Sequence, residues 1–540
     1  MQVKVTNDHI YVKTPYHEKD FVKDVMNGTW SKAEGMYRFP KNIHTLTELA
    51  RKFPSLMQNT QFMNEGTKLK AARNFFLELK QMNIVLDDRL RPYQNTDVNY
   101  LKKLPAAGIF NEPRTGKTPT SIILMKELGS KRNLVICPAS LIYNWEKEFE
   151  RWYPDCEVYV VNGTKLKRKS LYENLKSFGE IRDKSSVLII SKDTLKADID
   201  SPIFGTVFGT CFVDEAHFLR NRDTAQSKAV YAIKADRRYA LTGTPTVKHG
   251  TDIFGILKFL YPKKFSSYWQ FIERYWEMGQ DWMGHAEVKD IKPNRKAELQ
   301  ELIGFISVQR KRKDVMKWLP DKQRQTFYCK MEGKQLTHYT EMLEDFMTDD
   351  GELDAPNVLT QLMRLRQICL DPRLVGLDAP SAKTKALLEW LDDNKEPVVI
   401  MSMFTSYFDL VKKDIEKLGR KVGMIHGKMS NQDKQKSVKL FQAGKIDVLL
   451  CNIISAGVGF TLDRAETVLF LDKDWSPSIN EQAEDRVTPV SEERNHKHTI
   501  ISFVASDSVD ERIDKVLEEK KSFTDIINNG GMNAIRRLLS

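Results

Sequence analysis

The stretch Asn111-Glu112-Pro113-Arg114-Thr115-Gly116-Lys117-Thr118 sets the direction of the reading. It follows the apolar run Gly108-Ile109-Phe110 and precedes a helical stretch, Ser121 to Leu128. Strand, loop and helix in that order are what a phosphate-binding loop requires. Gly116 lets the backbone come close to phosphate oxygens. Lys117 supplies a positive charge for the β- and γ-phosphates, and Thr118 offers an oxygen to Mg²⁺. The N-terminus of the following helix adds its partial positive charge. The loop opens with Asn111, where the usual pattern has glycine.

Working outward, short apolar runs alternate with helical stretches from about Leu86 to Leu260. The runs are Ala107 to Phe110, Leu134 to Cys137, Val187 to Ile190, Cys211 to Val213 and Tyr239 to Leu241. Continuous apolar runs bounded by turns suit buried strands of a parallel sheet, and helices between them make βαβ units. The texture becomes charged, aromatic and mainly helical from Tyr261 to about Ala379. It returns to α/β at about Ser381, with strand candidates at Val398 to Met401, Val448 to Cys451, Val468 to Leu471 and Thr499 to Phe503. Met1 to about Val85 reads as a separate small α+β unit. The expected division is therefore 1–85, 86–260, 261–380 and 381–540.

Two further motifs follow strand candidates in the first α/β region. In Val213-Asp214-Glu215-Ala216-His217, Asp214 can hold Mg²⁺ through water, while Glu215 orients the water that attacks the γ-phosphate. In Leu241-Thr242-Gly243-Thr244-Pro245, small hydroxyl residues can link those carboxylates by hydrogen bonds to a surface that binds a polymeric partner. ATP and Mg²⁺ are the implied cofactors.

The chain has 540 residues and a formal charge of +11, a surplus that suits a polyanion such as nucleic acid. Its six cysteines form no CxxC pair, which argues against a zinc knuckle and for buried thiols in a reducing compartment. No signal peptide and no membrane-length apolar run is evident, so no membrane partner is expected. The expected location is the cytoplasm of a bacterial or phage-infected cell, or the nucleus if the source is eukaryotic.

Many motifs in order resemble the SWI/SNF-type ATPases of helicase superfamily two. They are Leu90-Arg91-Pro92-Tyr93-Gln94, Gly116-Lys117-Thr118, Pro138 to Trp145, Asp214 to His217 and Thr242 to Pro245. The likeness continues through Leu365 to Cys369 with Asp371-Pro372, Ser381-Ala382-Lys383, His426-Gly427, Ala456 to Leu462, Trp475-Ser476-Pro477 and Gln482 to Arg486. The resemblance implies an α/β fold of two RecA-like parallel-sheet lobes with a helical insertion between them. It implies that Gln94 reads adenine, that Arg114, Thr115, Gly116, Lys117 and Thr118 line the nucleotide, and that Gly457 and Gly459 let a loop approach it. Arg486 would be an arginine finger. Pro138, Ala139, Ser140, Thr242, Ser402 and Thr405 would contact DNA, and Trp475 would couple hydrolysis to movement or serve as core.

Beside Asn111, two departures stand out. Arg114 replaces the family's glycine, and either adds a phosphate contact or points to solvent. Pro489 stands where the family has a second arginine. Arg494 lies nearby as a candidate substitute. The N-terminal unit, through Thr14-Pro15-Tyr16, Trp30 and Met36 to Pro40, faintly resembles the HARP-type domain of annealing helicases, which implies recognition of branched DNA. Basic clusters at Lys165 to Lys169 and Lys311 to Lys313 read either as solvated surface or as DNA contacts. The expected function is ATP-dependent translocation on double-stranded DNA that remodels DNA structures or displaces bound proteins, with replication or repair proteins as partners. The alternatives are a strand-separating DNA or RNA helicase, and a DNA-binding module that senses ATP with low turnover.

Overall fold

The computed structural model describes residues 1–19, 22, 28–82, 84–173, 184–245, 250–280, 286–319, 322–344, 358–456, 460–488 and 498–518. By contacts the chain divides into two units. The first comprises Met1–Asn111, Gly116–Cys137 and Glu146–Gln309; the second comprises Glu112–Thr115, Pro138–Trp145 and Arg310–Ser540.

The first unit begins with an antiparallel sheet of β1 (Val3–Val5), β2 (His9–Val12), β3 (Thr29–Ser31) and β4 (Met36–Pro40), in the order β1-β2-β4-β3. Alternation puts Ile10, Val12 and Phe39 on one face, where they pack with Leu46, Leu49 and Phe62 of helices Ile43–Lys52 and Thr60–Leu79. The main sheet of this unit is built from β5 (Ala106–Ile109), β6 (Arg132–Cys137), β7 (Glu157–Val160), β8 (Ser186–Ser191), β9 (Val207–Val213) and β10 (Lys234–Leu241). A hairpin, β11 (Trp276–Gln280) with β12 (Ala286–Ile291), follows. A short strand, β13 (Ser307–Val308), then pairs with β5. The order is β13-β5-β10-β9-β6-β8-β7, and every pairing is parallel. Leu134, Leu188, Cys211 and Ala240 are fully buried beneath the covering helices.

The second unit has its own parallel sheet of β14 (Gln323–Cys329), β15 (Val398–Ser402), β16 (Val422–Ile425), β17 (Val448–Asn452), β18 (Thr467–Phe470) and β19 (Thr499–Ala505). Its order is β14-β19-β18-β15-β17-β16. Apolar side chains pack on both faces, with Ile400, Leu450 and Leu469 in one cluster and Met401, Leu449 and Val468 in another. That two-sided burial explains the unbroken apolar runs.

The region from Tyr261 to Ala379, expected to be mainly helical, also supplies four strands. The hairpin β11–β12 stands alone, β13 completes the first unit's sheet, and β14 forms an edge of the second. β14 reads Gln-Arg-Gln-Thr-Phe-Tyr-Cys and is exposed along nearly all its length, so it lacks the apolar run that marks a buried strand.

Candidate active site

Parallel pairing aligns the C-terminal ends of three adjacent strands. Gly108 and Ile109 of β5 lie opposite Ala240 and Leu241 of β10, and Ala240 lies opposite Val213 of β9. The segments that leave these strands therefore emerge side by side at one edge of the sheet. They carry Asn111, Asp214 and Thr242, which is where ligands bind in open α/β sheets. Backbone bonds hold the exits in place: Thr242 N–H donates to Ile109 O at 3.2 Å, and Asp214 N–H donates to Ile136 O at 2.8 Å.

The phosphate loop turns at Gly116, whose φ of 80° lies in the left-handed region. A Cβ there would stand 2.1 Å from Gln94 Nε2, so a side chain at 116 would have to push the end of Gln94 aside and hold a left-handed backbone as well. Helix Lys117–Leu128 starts directly after it. Lys117 Nζ donates to Asn111 O at 3.0 Å, which lays the ammonium across the loop. Asn111 is itself buried and donates to Asp97 Oδ2 at 2.9 Å. An amide at 111 thus ties the loop to the preceding helix, Pro92–Leu101, where the usual glycine makes no such bond. In the same helix Gln94 is buried and its Oε1 accepts from Arg91 N–H at 2.8 Å. Its Nε2 faces Gly116 O at 3.4 Å, so Gln94 adjoins the loop.

Asp214 is buried, and its Oδ1 accepts from Glu215 N–H at 2.9 Å. Glu215 has a φ of 50°, uncommon for a residue with a side chain. Its carboxylate lies 3.2 Å from His217 Nδ1. Thr242 is fully buried, and its hydroxyl accepts from Thr244 N–H at 3.1 Å. One left-handed glycine, one lysine across a loop and two adjacent carboxylates at strand ends fit a nucleoside triphosphate with its metal.

In the second unit, strand ends β15, β17 and β18 are joined by polar bonds. Ser402 Oγ bonds Asp472, Met403 N–H donates to Asp472 Oδ1 at 2.8 Å, and Asn452 Nδ2 donates to Met403 O at 3.0 Å. Burial pushes the Asp472 carboxyl up, against the pull of Arg366. Ser402 is thus a buried structural donor, while Thr405 precedes helix Ser406–Lys417. Trp475 is partly buried, with the Arg366 guanidinium 4.2 Å from its ring centre. Lys383 is fully buried, bonds Asp510 and donates to Leu471 O at 2.7 Å.

Arg114 also belongs by contacts to the second unit, and its side chain meets protein groups. Nε donates to Asp485 O at 2.8 Å, Nη1 to Thr461 Oγ1 at 2.9 Å, and Nη2 to Arg486 O at 2.6 Å. Burial, and then the like charge of Arg486, hold its guanidinium below the usual arginine range. Its φ of 68° is the left-handed conformation that a glycine would take freely. Pro138, Ala139 and Ser140 follow β6, with Ala139 and Ser140 in a short 3-10 turn, Ala139–Leu141. Of the basic clusters, Lys165 to Lys169 opens helix Lys165–Glu173, with Arg168 bound to Asp198 at 2.7 Å. Gly457, Gly459, Pro489 and Arg494 lie outside the described residues.

Sequence reading overlooked the partners of Glu484 and Asp485. Arg312 lies 2.6 Å from Asp485, Lys322 bridges both acids at 2.9 and 2.8 Å, and Arg324 reaches Glu484 at 2.6 Å. Two acids directly before a basic finger candidate were the available signal.

Two family models match successive regions of the chain. A model of the SNF2-related domain matches residues 74–374, and a model of the helicase conserved C-terminal domain matches residues 382–489. The chain is 27% identical over 487 residues to the putative ATP-dependent helicase/translocase YwqA of Bacillus subtilis (strain 168), covering 85% of this chain and 51% of that protein. It is 27% identical over 496 residues to the chromodomain-helicase-DNA-binding protein 3 homolog of Caenorhabditis elegans, covering 82% of this chain and 27% of that one. The chain thus spans about half the length of the first relative and about a quarter of the second. A solved structure, the Sulfolobus solfataricus SWI2/SNF2 ATPase core in complex with dsDNA, is 25% identical and covers 83% of this chain and 95% of that one at a TM-score of 0.39. With the SNF2-related model matched over residues 74–374 of a 540-residue chain, the protein belongs to the SWI/SNF-type ATPase family of helicase-like proteins.

Proposed function

We propose that this protein hydrolyses ATP with Mg²⁺ and uses the energy to translocate on double-stranded DNA, remodelling DNA structures or displacing bound proteins. The observation that carries the reading is the side-by-side exit of the phosphate loop, the Asp214–Glu215 pair and Thr242 from adjacent parallel strands. Gly116 and the first turn of helix Lys117–Leu128 present backbone N–H groups to phosphate, and Lys117 exchanges Asn111 O for the phosphates. Thr118 and Asp214 would hold Mg²⁺, which would supply positive charge beside the phosphate oxygens. Glu215 orients the attacking water and takes its proton. Arg486 supplies positive charge to the transition state. Family membership and a formal charge of +11 favour a nucleic-acid track, and the family reading favours duplex DNA. The N-terminal sheet and helices form a reader of branched DNA, and replication or repair proteins are the expected partners.

The test is steady-state ATP turnover with duplex DNA, single-stranded DNA, forked DNA and RNA. Duplex DNA should stimulate most, and Lys117→Ala should lose turnover by at least about a hundredfold while DNA binding persists. Binding should weaken steeply with salt as counterions are released. Equal stimulation by RNA would replace the duplex reading, and near-normal turnover of Lys117→Ala would remove the phosphate-loop assignment.

A further inference from the structure

Arg486 stands just beyond the end of helix Pro477–Glu484. Its N–H donates to Ala483 O at 3.1 Å, and the carbonyls that follow lie outside the helical ladder. A charged side chain at such a place is aimed only as well as its backbone is held. Here the holding is done by side chains from elsewhere in the second unit. Lys322 immediately precedes the edge strand β14 and Arg324 is its second residue, and both reach the same pair of acids. β14 pairs in parallel with β19 along its whole length, which fixes the strand in the sheet. Lys322 Nζ donates to Glu484 at 2.9 Å and to Asp485 at 2.8 Å, and Arg324 makes two bonds to Glu484 at 2.6 and 2.7 Å.

Arg312 opens the short helix Arg312–Val315 and donates to Asp485 at 2.6 Å. Its own N–H donates to Glu112 Oε2 at 2.7 Å. The Asp485 side chain is thus held by two cations, while its carbonyl and that of Arg486 accept from Arg114. Leu462 N–H adds a second bond to Arg486 O, at 2.8 Å. Both acids are buried. Burial pushes the Glu484 and Asp485 carboxyls up, but Arg324 and Lys322 on the first, and Lys322 and Arg312 on the second, outweigh it and hold both low. The acids therefore stay ionised, and the cluster stays charged at neutral pH.

We propose that Arg312 and Lys322, through the buried Glu484–Asp485 pair, are positioning residues that fix the backbone of Arg486 for its part in ATP hydrolysis. The proposal rests on the reading of Arg486 given above. Neither cation touches nucleotide in this account; each acts through the residue before Arg486. The arrangement couples the connecting segment that runs into β14 to the rate of the chemical step. A change of that segment's conformation would alter kcat without altering affinity.

The test is a mutant cycle on the full chain under saturating duplex DNA. Arg312→Ala and Lys322→Ala should each lower kcat about tenfold with KM for ATP within about twofold. In an Arg486→Ala background neither should lower kcat further, since a positioning residue has nothing left to position. Lys322→Arg, which keeps the charge, should recover most of the rate. Where an alanine variant loses its folded melting transition, the nearly isosteric Asp485→Asn carries the same expectation. Wild-type kcat in Arg312→Ala and Lys322→Ala, with Arg486→Ala impaired, would overturn the positioning role and leave the reading of Arg486 intact. Equal losses in both backgrounds would also overturn it, because the cations would then act elsewhere. Full turnover in Arg486→Ala would instead remove the finger assignment on which the proposal rests.

Discussion

Glu215 carries the sharpest residue-scale expectation. Its backbone is left-handed at φ 50°, and its N–H is held by the Asp214 carboxylate at 2.9 Å. Strain of this kind persists only where surroundings over-determine it, and it recurs at functional sites. The bond takes up one oxygen of Asp214 while the Glu215 carboxylate lies against His217, so the two adjacent carboxylates have different surroundings. Glu215→Gln keeps the shape and removes the base. ATP should still bind with near-normal affinity, while single-turnover hydrolysis should slow by about a hundredfold or more. Loss of nucleotide affinity, measured by equilibrium binding, would move Glu215 from chemistry to structure. Both carboxylates were legible in the sequence because a tetrapeptide after an apolar run is a local signal. The direction of Arg114 was not legible. Neither a phosphate contact nor open solvent describes a guanidinium whose partners are the carbonyls of Asp485 and Arg486, some 370 residues later in the chain.

Among elements, the strands divide cleanly by position in their sheets. Interior strands such as β6, β8, β9, β15 and β17 announce themselves as apolar runs because both faces are covered. The four edge strands of the two large sheets are harder to read: β7 and β14 are incompletely covered and partly polar, β13 is only two residues long, and β16 is a short run interrupted by Gly423. A strand that is short or left open on one side gives too few consecutive buried apolar positions to stand out. The phosphate loop is the other element whose conformation outruns its motif. Gly116 is left-handed at φ 80°, and Arg114 is left-handed as well, at φ 68°. Two variants separate conformation from contact there. Arg114→Gly loses the hydrogen bonds and relieves the backbone; Arg114→Ala loses the same bonds and keeps the strain, which costs about 1 kcal/mol or more. Thermal melts should therefore rank alanine below glycine by about 2–4 °C. An alanine variant at least as stable as the glycine variant would show that the loop does not hold this conformation at position 114.

At the scale of the whole molecule, the first 85 residues are bound into the first unit by more than chain connection. Helix Pro293–Phe305, far along the chain, is the point of attachment. Its Arg295 is buried and paired with Glu48 at 3.0 Å as well as with its own Glu298 at 3.1 Å. Its Glu301 pairs with Arg73 at 2.6 Å and also with His44. Lys80 donates to the carbonyls of Gly304 and Ser307, the second at 2.9 Å, just where the chain enters β13. The Phe76 ring lies 6.1 Å from Tyr100 and 6.2 Å from Phe305. β13 in turn pairs with β5, whose end opens the phosphate loop. A reader of branched DNA that served only as an appendage would need none of this. Taking away residues 1–85 removes Glu48 from a buried guanidinium and uncovers the Phe76 contact surface. Breaking one buried pair costs about 3–5 kcal/mol, and Glu298 remains to offset part of it. A loss of about 2 kcal/mol corresponds to roughly 4–8 °C in a unit of this size. The truncated protein should therefore melt lower by that amount, and Glu48→Gln in the full chain should reproduce part of the shift. Turnover below the new transition should survive, because no group assigned to ATP lies before Gln94. Preference for forked over linear duplex, measured on the same truncated protein, then reports recognition separately from support. Unchanged melting would mean that these contacts contribute nothing measurable to the first unit. Unchanged fork preference with a lowered melt would leave the N-terminal residues as a buttress for the ATPase and not a reader of DNA.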